Sequence, residues 1–146
     1  DHAPFDFKGQ KEMGRKDFTK IPNGIPSLED RMTVLWTKGV GEDRINLHQF
    51  VDCASTQAAK LFGLFPRKGS IAVGADADLV VWDPDHRGVI SAQKQYMNLD
   101  YNPFEGWKIT GRPHVVTVRG EVAAKDGKFV GQIGRGRLIK REPNHF

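Results

Sequence analysis

The chain opens on an acid–imidazole pair, Asp1-His2, and later reaches a Pro22-Asn23-Gly24 turn just ahead of a helix-start signal at Ser27. A carboxylate can ligate a cation through one oxygen and carry a proton on the other, a combination suited to hydrolysis. A segment of this kind can serve as the rim of a catalytic cleft. Taken alone, however, an acid at a chain start reads first as a solvated carboxylate. The remaining candidates are weaker. Asp76-Ala77-Asp78 precedes an apolar run and has the form of an acidic pair, yet aspartates at that spacing ordinarily accept turn N–H groups. His2, His48, His86, His114 and His145 show no His-x-His or His-Glu-x-x-His spacing and so form no local ligand set. Cys53 is the only cysteine. It sits in a helical pattern beside Val51 and Ala54, with nothing local to lower its pKa, and reads as a buried small hydrophobe.

Several elements must position these groups. Residues 1 to about 26 mix prolines, glycines and scattered charges with no sustained period, which predicts a long structured loop. Loops of that length in compact proteins tend to be functional. Ser27 and Asp30 approximate a capping box, with the acid at the positive end of the helix dipole. The helix they start carries Met32, Leu35 and Trp36 and ends at Gly39. A second helix is expected from Asn46 with Gln49 three residues on, presenting Leu47, Phe50, Val51 and Ala54 on one side. A third, capped by Ser55 or Thr56, stops at Gly63.

At Pro66 the texture changes to β-branched residues and turn signals. Leu79-Val80-Val81-Trp82 reads as a strand bounded by Asp83-Pro84. Val115 to Val118 and Gly120 to Ala124 are two further strands, and Asp126-Gly127 is a hairpin signal before Lys128-Phe129-Val130. These make a small β sheet. The aromatic, proline-rich stretch from Tyr101 to Trp107 reads as a packed connection or a subunit contact.

Composition narrows the function classes. With 146 residues and 38% hydrophobic content the chain can bury a core and has the length of one domain. The net charge of +4 is a modest excess. Its densest run, Arg135 to Arg141, lacks the aromatic interleaving of a nucleic-acid surface, so nucleic acid is not an expected partner. A single cysteine excludes an intrachain disulfide and suits a reducing compartment, which is expected to be the cytoplasm. No apolar run approaches a membrane span, so no membrane partner is expected. There is no Gly-rich phosphate loop and no Gly-x-Ser-x-Gly elbow.

Longer runs carry a resemblance. Asp1-His2-Ala3-Pro4-Phe5, Phe18 to Pro26 and Glu29-Asp30-Arg31-Met32 resemble, in order, the segment after the last barrel strand in the D-hydantoinase / dihydropyrimidinase family of cyclic amidohydrolases. Ala58 to Gly69, Ile71 to Pro84, Asn102-Pro103-Phe104-Glu105-Gly106 and Arg141-Glu142-Pro143 continue the resemblance in the family's order. It implies an α/β fold: residues 1–65 as the end of a (β/α)8 TIM-like barrel, and residues 66–146 as part of a β-sandwich domain completed by N-terminal strands. The chain is accordingly expected to be the C-terminal portion of a longer protein.

The resemblance further implies metal-dependent hydrolysis of the cyclic amide of hydantoins or dihydropyrimidines. Two divalent metal ions, expected to be Zn2+, would be bridged by a carboxylated lysine absent from this chain. Asp1 matches the family's metal ligand and proton carrier. Asn23 matches its backbone contact to substrate. A homotetramer and a small-molecule cyclic amide are the implied partners, with the remainder of the same polypeptide, and this stretch alone is expected to be inactive. Many members have Cys where this chain has Ala3, which leaves pocket volume and ring-substituent preference open. Two alternatives remain: a non-catalytic dihydropyrimidinase-related scaffold, and an allantoinase- or dihydroorotase-like hydrolase. Retention of both Asp-His and Pro-Asn-Gly favours the enzyme over the scaffold.

Overall fold

In the computed structural model, residues 2–143 are described. The chain up to residue 30 is a long loop with two 3-10 turns, Lys11–Arg15 and Phe18–Lys20. It leads into α1 (Arg31–Leu35), which runs on without a break as a π turn, Trp36–Val40. After a short turn come α2 (Leu47–Val51), a second π turn (Asp52–Thr56) and α3 (Gln57–Leu61). The remainder forms an antiparallel sheet of β1 (Val80–Val89), β2 (Lys108–Val118), β3 (Glu121–Lys125) and β4 (Lys128–Phe129), in sequential order. The whole is an α/β arrangement.

The start of α2 follows its sequence closely. The Asn46 side chain accepts from Gln49 N–H and the Gln49 side chain accepts from Asn46 N–H, each at 2.9 Å, completing a capping box. Four other expectations are corrected. Asp30 makes no side-chain cap to α1; it is buried and its carboxylate turns to Gln95 and Asn102. No separate third helix is capped at Ser55 or Thr56, because the backbone bonding of 47–61 is continuous and switches register at the π turn instead. Of the apolar face expected for the second helix, Phe50 is buried while Leu47 and Val51 are exposed. Cys53 is exposed rather than buried, its Sγ lying 3.5 Å from the Phe50 carbonyl oxygen. Gly63 does end the helical run, in the left-handed conformation at φ +65°.

The sheet is longer than its apolar runs. β1 does not stop at Asp83-Pro84 but passes through a bulge there and pairs again from Arg87 to Val89 with Thr110 to Lys108. The proline can be accommodated because β1 lies at the sheet edge, with a register shift between Asp83 and Arg87. Asp126 and Gly127 adopt φ +50° and +76°, the primed turn that matches strand twist and closes β3 onto β4.

Helices and sheet meet at three rings. Trp36 and Phe50 pack with Trp82 at centroid separations of 5.0 and 5.7 Å, and Trp36 with Phe50 at 5.3 Å. Gly111 in β2 makes the approach possible: at φ +72°, a Cβ there would lie 2.5 Å from the Trp36 ring and 2.7 Å from Trp82 Nε1. Beside it, Thr37 Oγ1 donates to the Thr110 carbonyl and accepts from Thr110 N–H, at 3.1 and 3.0 Å.

Candidate functional site

The long loop folds back so that its two ends touch. Gly24 takes φ +110°, and a Cβ on it would lie 2.4 Å from the Ala3 Cβ and 2.5 Å from the Ala3 carbonyl oxygen. The turn can therefore seat against the chain start only with glycine at this position. One residue earlier, His2 Nδ1 accepts from Ser27 N–H at 3.2 Å and lies 3.4 Å from Leu28 N. An Nδ1 that accepts leaves Nε2 as the ring's N–H donor in the neutral imidazole. His2 is thus occupied in holding the residues that follow the turn.

Lys11 secures the turn from the other side. Its ammonium donates to the Pro22 carbonyl at 2.5 Å and to the Gly24 carbonyl, on the residues either side of Asn23. Those bonds consume the neighbouring acceptors and leave Asn23 itself exposed, with no hydrogen-bond partner among the described residues. Gly14 serves the same loop, because Ile21 folds directly over it: a Cβ on Gly14 would overlap Ile21 Cγ1 at 1.9 Å.

The two sequence-predicted positions stand differently. Asn23 is described, on an exposed turn with free backbone groups. Asp1 lies outside the described residues, although the adjoining His2 and Ala3 are in contact with Ser27 and with Gly24 of the turn. Among the described residues no three His, Cys, Asp or Glu side chains converge as a cation would require. His48, His86 and His114 are dispersed, and His145 falls outside the described residues. His114 pairs with Asp126, Nδ1 to Oδ1 at 2.8 Å.

Asp76 and Asp78 are structural, as their spacing predicts. Lys68 bridges the two carboxylates, at 2.9 Å to Asp76 and closer to Asp78, while Asp78 also accepts Arg119 N–H at 2.7 Å. The Lys68 hydrogen bond holds the Asp76 carboxyl below the usual carboxylate range. For Asp78 burial acts upward, but Lys68 and Arg119 outweigh it and the net direction is down.

Beside the His2–Leu28 contact lies a cleft of about 650 Å3, mostly apolar, whose lining includes His2, Leu28, Glu29, Tyr96, Met97 and Phe129. Burial raises the Glu29 carboxyl, against the pull of the Tyr96 and Met97 N–H groups. Sequence reasoning missed Lys11, and it missed the partners of Asp30. The Asp30–Asn102 contact joins residues 72 apart, so no local pattern could reveal it.

The amidohydrolase family profile matches residues 20–123. The D-hydantoinase of Geobacillus stearothermophilus is 60% identical over 141 residues, 97% of this chain and 30% of that protein. Rat (Rattus norvegicus) dihydropyrimidinase is 47% identical over 134 residues, 92% of this chain and 26% of that protein. The solved structure of a D-hydantoinase (dihydropyrimidinase) from Thermus sp. superposes with a TM-score of 0.93 at 62% identity, covering 100% of this chain and 32% of that one. The chain thus spans about a third or less of the length of these relatives.

Proposed function

This chain belongs to the amidohydrolase family, and from that premise we propose that it is the C-terminal portion of a metal-dependent enzyme hydrolysing the cyclic amide of hydantoins or dihydropyrimidines. In this reading residues 1–65 end a barrel and residues 66–146 contribute to a β-sandwich. The observation that carries it is the folding of the Pro22-Asn23-Gly24 turn onto Ala3, beside the Asp1-His2 pair. The turn that carries Asn23 thereby meets Ala3, two residues after Asp1 in the sequence.

The described residues do not form a metal site by themselves. The reading gives this chain one ligand, Asp1, and draws the others, including a carboxylated lysine, from elsewhere in the complete protein. When bound, two divalent cations, Zn2+ in this reading, would supply a water acidified toward neutrality and a polarised ring carbonyl. Asp1 takes up the proton released as the ring carbonyl is attacked and delivers it to the departing ring nitrogen. Asn23 offers its backbone N–H and C=O to the polar edge of the planar ring, fixing its orientation. Lys11 and Gly24 hold that backbone in place.

A homotetramer in the cytoplasm belongs to the same reading, and sedimentation and cell fractionation would test it. The free Cys53 suits a reducing compartment. Among the described residues no helix is long and apolar enough to cross a membrane.

The decisive experiment is metal analysis of the full-length protein together with turnover of hydantoin, dihydrouracil and allantoin. Bound divalent metal with turnover of hydantoin or dihydrouracil, lost on chelation, is the expected result. Absence of metal and turnover would leave the scaffold reading, and preference for allantoin would leave the allantoinase reading.

A further inference from the structure

The loop that carries Asn23 is fastened at both ends to one stretch of the connection between β1 and β2, residues 95–102. At the near end, the Asp100 carboxylate accepts Phe7 N–H at 2.6 Å on one oxygen and Lys8 N–H at 2.8 Å on the other. The Phe7 and Tyr101 rings meet edge-on at 6.1 Å. At the far end, the buried Asp30 carboxylate accepts Gln95 Nε2 at 2.5 Å and Asn102 Nδ2 at 2.6 Å. Asn102 is itself buried, with its Oδ1 accepting Phe104 N–H at 2.7 Å. Next to it, Glu29 Oε2 accepts Tyr96 N–H at 2.8 Å.

Between these clamps lie residues 9–28 with Asn23. No cation pairs with Asp30 among the described residues, so its charge is held by amide donors alone. Such a carboxylate tolerates the loss of a donor poorly. Neither clamp touches Asn23, which stays free for a ligand.

We propose that residues 95–102 form a latch that sets the geometry of the Asn23 turn, with Asp100 and Asn102 as positioning residues for substrate. This rests on the hydrolase reading above. Asp100 and Asn102 act through the loop and not on the reacting atoms. Their loss should therefore weaken binding of the ring more than the chemical step.

The test uses the full-length protein. Asn102→Asp keeps the shape of the side chain but sets an acceptor against the Asp30 carboxylate. Asp100→Asn removes one of two acceptors at the exposed clamp. The double variant Asp30→Asn/Asn102→Asp restores one carboxylate–amide pair. Kinetics with hydantoin or dihydrouracil, metal content and amide hydrogen exchange over residues 9–28 are the readouts. For each single variant KM should rise about tenfold, with kcat within about threefold and metal content unchanged. Exchange over 9–28 should quicken, and the double variant should return both readouts toward wild type. Unchanged exchange over 9–28 in both single variants would overturn the latch, as would equal loss of kcat and kcat/KM at unchanged KM. If Asn102→Asp fails to fold, Asp100→Asn decides alone. If the wild-type protein turns over no cyclic amide, the hydrolase reading fails and the exchange arm judges the latch by itself.

Discussion

At Gly24 a methyl group has nowhere to go. The backbone is left-handed at φ +110°, and the added Cβ would lie within 2.5 Å of the Ala3 carbonyl oxygen. Gly24→Ala should therefore open the contact between turn and chain start, at a cost of roughly 1–3 kcal/mol in loop strain. In the full-length protein, on the hydrolase reading, a KM increase with little change in kcat would register it. Asp1→Ala tests the other residue: kcat should fall by about 10²–10⁴, the range for losing a general acid–base group, while circular dichroism stays unchanged. Retained turnover would remove Asp1 from the chemistry. Gly24 is legible in the sequence as a turn glycine. Its seat on Ala3 is not, because the contact depends on how the intervening loop closes.

The elements differ in how much of their structure is local. The Asn46–Gln49 capping box is readable from four residues, and it forms. Asn46→Ala should destabilise α2 by about 1 kcal/mol, measurable as a lower denaturant midpoint at unchanged slope. Gly111→Ala should cost more, roughly 2–5 kcal/mol, because it combines overpacking of Trp36 and Trp82 with a left-handed backbone at φ +72°. A melting temperature within a degree of wild type would contradict the packing described for the aromatic cluster. No sequence pattern announces Gly111. Cys53 errs in the opposite direction: its apolar neighbours predict burial, but Phe50 is the residue that meets Trp82, and Cys53 is left exposed.

Over the whole molecule, carboxylates link loops, turns and sheet. Backbone N–H groups of Lys8 and Phe7 hold the Asp100 carboxyl below 3.8, and the His114 hydrogen bond does the same for Asp126. A carboxyl with a depressed folded-state pKa contributes stability above its unfolded value of 3.8, and that contribution is lost as pH falls through the folded value. Lys68 behaves inversely. Burial lowers its ammonium, but hydrogen bonds to Asp78 and Asp76 outweigh this and raise it above 10.5, so its contribution persists below that pH and is lost above. Chemical denaturation of the full-length protein should give a midpoint that is flat through neutrality and declines below about pH 4. Asp126→Asn should make that acid limb shallower. Another whole-molecule feature is the amount of apolar surface in view. Phe50, Ala59 and Ile90 are buried, whereas Ile71, Val73, Ile133 and Leu138 are largely exposed. Exposed apolar surface on this scale is what a covering segment or subunit would bury, which supports the reading as part of a larger enzyme.

The sequence by itself determined the features whose causes lie within a few residues: the long loop with its Pro-Asn-Gly turn, the Asn46 cap, the Gly63 stop, the Asp126-Gly127 hairpin and the structural role of Asp76 and Asp78. Its ordered runs also determined the family. Only the tertiary structure decided that Asp30 faces Asn102 instead of its own helix, that Cys53 is exposed, and that Gly24 rests on Ala3. Capping and turn formation are set by backbone torsions and neighbouring donors, which a short stretch of residues fixes. Which face of an element is covered, and which distant acceptor takes a buried donor, depends on surfaces brought together only when the chain closes.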